Sequence, residues 1–367
     1  MSKLHDLYEQ QGQSPWLDNL KRGWITSGEL KKWVERGVRG ITSNPTIFAK
    51  AIAGAADYDA QFTELVHEGK SVDDSYWELV KADIEDALAI LRPTYDKSKG
   101  TDGFVSVEVA PSLARDTTGT TAAAQLLWQQ IDEPNLLVKI PGTAEGLPAI
   151  QQCLGEGINI NVTLLFGLDR YGEVIEAYIT GLEELNRNGG DLTKIASVAS
   201  FFVSRVDTEV DRRLDAIGTP EALALRGKAA VANAQLAYEL FLERFATDRW
   251  KALASKGAPV QRPLWASTST KNPDYPDTIY VDNLIGPDTV NTMPDQTLLD
   301  FEDHGTVART VDKDLDAARG VMAELAGVGV DMGDVTKTLE EEGVASFSKS
   351  FDELITSLET KADQLKG

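Results

Sequence analysis

Eight short apolar segments, each followed by a stretch of helical periodicity, lie over residues 16–294 and predict a (β/α)8 barrel. Three observations carry that expectation. Eight such units in a chain of 367 residues fit one barrel of about 250 residues with additions. The rhythm is strand then helix throughout, which a doubly wound sheet would share. What separates the two folds is that several segments divide into an apolar face and a small or polar face, as strands do when one side meets helices and the other an enclosed interior. Residues 1–367 therefore read as a single α/β domain with additional N- and C-terminal helices, the last forming a tail over about 307–366. No internal repeat, low-complexity segment or Pro/Gly/Ser-rich linker divides it.

Leu4, Leu7 and Tyr8 share one face and predict a helix over 3–11. Ser14 to Leu20 reads as the first strand, with Trp16 and Asp18 on the same side. A helix is expected over 23–36, capped by Ser27 and stopped by Gly37, and the second strand at 38–42 runs into Asn44-Pro45. Residues 45–91 are helical in pattern, with a clear helix start at Ser71. Strand three covers 103–111 and a helix follows over 117–131. Strand four sets Leu136, Val138 and Ile140 on one face and Leu137 and Lys139 on the other, and Pro141-Gly142 closes it. A helix at 144–154 leads to strand five at 157–164, where Ile158, Ile160 and Val162 point one way and Asn159, Asn161 and Thr163 the other. Helix 168–186, strand six at 195–202, a helical region over 205–255 broken at Gly218-Thr-Pro220, strand seven at 262–271 and strand eight at 288–294 complete the series. In the tail, Gly327-Val-Gly329 reads as an ordinary helix break, not a nucleotide-binding loop.

Composition narrows the function. With 26% charged and 42% hydrophobic residues and no apolar run of about 18, the chain is expected to be soluble and globular. A formal net charge of -22 leaves no basic footprint for nucleic acid or an anionic membrane, although a phosphorylated substrate needs only a few converging cations. The single cysteine, Cys153, excludes an internal disulfide framework and suits a reducing compartment, so the cytoplasm is expected. The oligomeric state stays open between monomer and homodimer.

Lys139 is the residue that packing alone explains least. A buried amine loses the hydration of its ammonium form, and the neutral form can attack a carbonyl to make a Schiff base. A lysine paired with a carboxylate across the core is the alternative. In a barrel, chemistry sits at the carboxyl ends of the strands. The last inward residues there would be Asp18, Asn44, Glu108, Lys139, Thr163, Ser200 and Ser267: one amine, two carboxylates and several hydroxyl or amide groups. That set suits a Schiff-base enzyme, with Lys139 as nucleophile, one carboxylate for proton transfer at the cleaved carbon bond and the other for the water lost and regained. Singly, Asp18 also suits a turn cap, Asn44 a turn before Pro45, and Glu108 an ion pair; Thr163 and Ser200 say little alone. His5, His67 and His304 all fall outside strand ends, which disfavours a histidine-ligated zinc site or a Ser-His-Asp arrangement.

Three stretches then resemble the signatures of the transaldolase family: Gly40-Ile-Thr-Ser-Asn-Pro-Thr-Ile-Phe48, Val138-Lys-Ile-Pro-Gly-Thr-Ala-Glu-Gly146 and Ile158-Asn-Ile-Asn-Val-Thr-Leu-Leu-Phe166, in order and register over roughly residues 16–294. The resemblance implies a barrel that moves a dihydroxyacetone unit from sedoheptulose 7-phosphate to glyceraldehyde 3-phosphate, without metal or organic cofactor. It implies a Schiff base on Lys139, acid/base work by Asp18, and a catalytic water held by Glu108 and Thr163. Asn44, Asn161 and Ser200 would bind hydroxyls of the three-carbon unit, Arg205 the phosphate, and Thr42 and Phe202 join the substrate-binding set. Two departures stand out. Ser200-Phe-Phe-Val-Ser-Arg205 replaces the Ser-Pro-Phe-Val-Gly-Arg of shorter members, and Ala266-Ser-Thr-Ser-Thr-Lys271 replaces their Ser-Phe-Arg. The second phosphate partner is therefore expected among Ser267, Ser269 and Lys271, an ammonium standing where a guanidinium fork would be. Two rival readings remain: a related Schiff-base aldolase that releases free dihydroxyacetone, and a non-catalytic phosphosugar-binding barrel.

Overall fold

The computed structural model describes residues 2–53 and 55–366. Eight parallel strands close in chain order: β1 (Gln13–Leu17), β2 (Gly40–Thr42), β3 (Phe104–Glu108), β4 (Leu136–Pro141), β5 (Ile160–Leu165), β6 (Ser197–Phe202), β7 (Arg262–Ala266) and β8 (Thr289–Met293). The expected (β/α)8 barrel is present. Val107, Val138, Ile160 and their outward neighbours are fully or almost fully buried under the helical layer, as the apolar face of each strand requires.

The interior is filled from the amino end by large rings. Trp16 reaches across the lumen towards Phe104, ring centroids 6.3 Å apart, and Gly40 makes room for it. A Cβ at Gly40 would stand 2.4 Å from the Trp16 indole, so only glycine fits there. Above these rings the lumen turns polar. Glu108 on β3 is in register with Lys139 on β4, and Lys139 with Asn161 on β5, which sets three polar side chains side by side. A register shift between Val162 and Leu165 interrupts the β5–β6 ladder, and Leu164 takes the left-handed φ of 60°.

Several boundaries differ from expectation. The first strand spans Gln13–Leu17, so Asp18 and Leu20 lie beyond it. The helix expected over 23–36 is two, Arg22–Thr26 and Glu29–Arg36, because Gly28 at φ 77° breaks it; Ser27 ends the first piece and does not cap the second with its side chain. Gly37 does stop the second. The 45–91 region comprises Pro45–Ala53, a 3-10 turn at Ala56–Tyr58, Asp59–His67 and Val72–Ser98, with the Ser71 hydroxyl accepting from the Asp74 N–H as the cap. Strand seven ends at Ala266, since Ser267 has φ 54°, and residues 267–278 form a loop.

The tail holds two helices, Leu315–Gly327 and Met332–Lys366, separated at Gly329, whose φ is 94°. The second is the longest helix of the chain. Its buried residues Val335, Leu339, Phe347, Leu354 and Leu358 form one stripe, and that stripe lies against the helices beside the carboxyl mouth. Thr46 donates to Ser350 at 2.9 Å, Arg115 pairs with Glu340 at 3.2 Å, Arg213 with Asp334 at 2.7 Å, and Lys361 with Asp59. The tail thus roofs one side of the mouth.

Candidate active site at the carboxyl mouth

Lys139 sits one turn of pleat before Pro141 and is only 4% exposed. Its Nζ donates to the Ser43 carbonyl at 3.0 Å and stands 3.1 Å from Glu108 Oε2. Neither Glu108 oxygen has a hydrogen-bond partner among the described residues, nor does the Thr163 hydroxyl. Glu108 is held by its charge pairing with Lys139, whereas the Thr163 hydroxyl is buried without a partner, and leaving it so costs free energy that packing does not return. Burial lifts the Glu108 carboxyl above the usual carboxylate range, the Lys139 charge opposing and the Asp18 charge adding to the rise.

Asp18 follows β1 directly, and its N–H donates to the Met293 carbonyl at 2.8 Å, which fixes the backbone at that strand end. The Thr42 hydroxyl contacts Asp18 Oδ1 at 2.7 Å and the Thr292 hydroxyl at 2.6 Å, tying β1, β2 and β8 together through one side chain. Burial raises Asp18 as well; Lys139, then the Thr42 hydrogen bond, then Lys271 and Arg205 pull it back. Asp18 therefore lies within the field of three cations.

A second polar chain runs round the wall. Ser200 donates to Asn161 Oδ1 at 2.7 Å, and Asn161 Nδ2 donates to the Ser106 hydroxyl at 3.0 Å. Ser106 was not singled out in the sequence, yet it locks the Asn161 amide in one orientation.

Above these groups opens a cavity of about 520 Å³. Asp18, Thr42, Asn44, Lys139, Thr163, Ser200, Phe202, Arg205, Ser267, Ser269 and Lys271 all line it. Glu108 and Asn161 stand behind this lining, touching its members. Asn44 also serves the turn: its Oδ1 accepts from the Ile47 N–H at 3.0 Å, which leaves its amide donors for the cavity. Ser267 is turned to Ser204, hydroxyls 2.9 Å apart, whereas Lys271 Nζ donates to Ser269 Oγ at 2.6 Å. Of the three residues expected to help Arg205, the Ser269–Lys271 pair thus has its charge in the cavity.

Arg205 lies over the Phe202 ring at 5.3 Å and the Phe347 ring at 6.0 Å. The C-terminal helix comes this close because Gly343 faces it; a Cβ there would sit 3.0 Å from Leu164 Cδ2 and 3.7 Å from Arg205 Nη1. Lys21, Lys50, Thr292, Ser346 and Phe347 also line the cavity and were missed. Phe347 belonged to a visible apolar stripe, but nothing in the stripe said where it docks. The three histidines lie on the helices Lys3–Gln11, Asp59–His67 and Asp295–His304, none of them lining the cavity.

A closed parallel barrel whose mouth gathers an amine, two carboxylates and unpaired cations has the makeup of a barrel enzyme acting on anionic carbonyl compounds. Comparison with known proteins agrees: the chain matches the transaldolase/fructose-6-phosphate aldolase family over residues 15–358 and belongs to that family. It is 53% identical over 361 residues to a transaldolase of Parafrankia sp. (strain EAN1pec), covering 98% of each chain. It is 53% identical to a transaldolase of Thermobifida fusca (strain YX), covering 94% of each. To transaldolase 2 of Streptomyces coelicolor it is 48% identical, covering 97% of this chain and 96% of the other.

Proposed function

We infer that this chain is a transaldolase that passes a dihydroxyacetone unit from sedoheptulose 7-phosphate to glyceraldehyde 3-phosphate, giving erythrose 4-phosphate and fructose 6-phosphate. The observation that carries the assignment of roles is the Lys139 amine, buried and 3.1 Å from Glu108, at the floor of a cavity lined by cations. In this reading the amine attacks the donor's C2 carbonyl, and the carbinolamine loses water to give an iminium ion. Glu108, made more basic by burial, takes and returns the protons of those steps with a water that Thr163 helps to hold. Asp18 accepts the proton of the C4 hydroxyl as the C3–C4 bond breaks, and the electron pair of that bond passes to the iminium to form an enamine. The enamine then attacks the acceptor aldehyde, Asp18 returns the proton, and hydrolysis frees Lys139. Asn44, Asn161 and Ser200 hold hydroxyls of the three-carbon unit, Thr42 orients Asp18, and Arg205, with Phe202 beneath it, binds the phosphate with Lys271 and Ser269.

No helix among the described residues is long and apolar enough to cross a membrane. The one cysteine is buried, and we assign the protein to the cytoplasm on that composition. Borohydride reduction in the presence of fructose 6-phosphate should attach a three-carbon adduct to Lys139, read by peptide mass spectrometry. K139M should carry no adduct and show no turnover; a label on any other lysine defeats the assignment. Dependence of turnover on an added acceptor aldehyde separates transfer from an aldolase that releases free dihydroxyacetone.

A further inference from the structure

Four basic side chains, Lys21, Lys50, Arg205 and Lys271, reach one cavity in a chain of net charge -22. Several cations outside the mouth are matched by acids: Arg249 engages Glu176 and Glu183, Arg319 engages Glu239 and Asp316, and Arg213 engages Glu209 and Asp334. None of the four mouth cations is within ion-pair distance of a carboxylate among the described residues; Asp18 and Glu342 act on Arg205 only from further away. Two carboxylates, Asp18 and Asp295, share the cavity with these four cations, so positive charge is in excess there, and an anion seated among the cations relieves their repulsion.

Arg205 and Lys271 approach from the segments after β6 and β7. Lys50 approaches from the last turn of the helix Pro45–Ala53, which follows β2 on the other side of the mouth. Lys21 lies 4.5 Å over the Trp24 ring and is already engaged. Lys50 is exposed, and its charge acts on Lys271: burial and then Arg205 depress the Lys271 ammonium, Asp18 opposes, and Lys50 adds to the depression. The helix that carries Lys50 is held by the Asn44 cap and by the Thr46–Ser350 hydrogen bond to the C-terminal helix.

We propose that Lys50 is a third phosphate-binding cation, closing with Arg205 and Lys271 on the terminal phosphate of the sugar substrates from the β2 side of the cavity. The proposal rests on the sugar-phosphate reading above and deepens it. An ammonium is a point charge without the planar fork of a guanidinium, so Lys271 alone grips a phosphate less firmly than a second arginine would. A second ammonium from the far side restores both charge and donors. Being exposed on a flexible stem, Lys50 contributes to holding the bound substrate and leaves the reacting carbons untouched.

The test compares wild type, K50M and K50R. In K50M, KM for fructose 6-phosphate and the inhibition constant of inorganic phosphate should rise together by about fivefold to tenfold, with kcat falling less than KM rises. The loss should be confined to phosphorylated donors, absent with free fructose, and K50R should recover most of it. Calorimetric binding of inorganic phosphate supplies a readout that needs no turnover. Wild type that binds phosphate but forms no product would defeat the transaldolase reading, while weaker phosphate binding by K50M would still uphold Lys50. K50M equal to wild type in phosphate binding and in KM overturns the proposal.

Discussion

Asp18 and Glu108 are carboxylates raised by burial beside the same amine, but their partners differ. Asp18 accepts from Thr42 and faces the cavity, so its remaining oxygen is free for a substrate hydroxyl. Glu108 stands behind the amine and is ion-paired with Lys139. On this geometry we propose that Glu108 serves the amine and Asp18 the carbon bond. D18N should lower turnover by about 10²- to 10⁴-fold while leaving the borohydride adduct of fructose 6-phosphate on Lys139. E108Q should slow adduct formation itself. A D18N protein that forms no adduct would move Asp18 from bond cleavage to Schiff-base formation. Lys139 and Glu108 were legible in the sequence because each is the lone ionisable group in a strand of valine, leucine and isoleucine. Ser106 and Thr292 were not, since a small hydroxyl residue on an inward strand face looks the same whether it orients a neighbour or fills space.

At the scale of elements, the helix Ser204–Ile217 carries Arg205 to the mouth and is anchored by two carboxylates one turn apart. Asp207 accepts from the Ala230 N–H at 2.8 Å and from the Tyr280 hydroxyl at 2.8 Å. Asp211 accepts from the Gly227 N–H at 2.9 Å and from the Tyr275 hydroxyl at 2.6 Å. The pair pins the connection to the helix Ala229–Arg244 and the β7–β8 loop against the helix that presents Arg205. Burial pushes Asp207 up to about 6 despite these hydrogen bonds. Its folded pKa is above the unfolded value, so its contribution to stability is complete below about pH 4 and is lost as pH rises through about 6. D207N does not titrate. The stability difference between the two proteins should therefore shift towards D207N by on the order of 3 kcal/mol between pH 4 and 7, measured by urea unfolding. Parallel curves over that range would show that Asp207 titrates as an ordinary carboxylate. The sequence marked this helix by its periodicity, but not its anchors, because their partners lie up to 73 residues away. The break at Gly28 was missed for a related reason: apolar spacing continues across it, and only the positive φ reveals two helices. Phe347 shows the same limit, its apolar stripe being visible while its docking against Arg205 was not.

Over the whole molecule, the two ends of the barrel do different work. The carboxyl end holds an unpaired hydroxyl and an excess of cations over carboxylates, whereas the amino end is a closed ionic plug. Asp102, fully buried, accepts from Trp16 Nε1 at 2.9 Å, Arg39 Nε at 2.7 Å and the Ser14 hydroxyl, and lies 3.5 Å from Arg262. One carboxylate so joins β1, the approach to β2, the entry to β3 and β7, where a barrel seam would otherwise open. Arg39 also stacks on Tyr8 of the N-terminal helix at 3.5 Å, which ties that helix to the same plug. Removing the carboxylate leaves two partly buried guanidinium groups without their counter-charge and the buried Trp16 and Ser14 donors without an acceptor, together a cost of about 3–5 kcal/mol. D102A should lower unfolding stability by that amount, read from denaturant midpoints, while KM and kcat stay at wild-type values at temperatures where the variant is folded. The expectation follows from separating stability at one face of a barrel from chemistry at the other. A D102A protein of wild-type stability with an altered KM would mean that the two faces are coupled through the Trp16–Phe104 layer, and that the plug shapes the cavity above it.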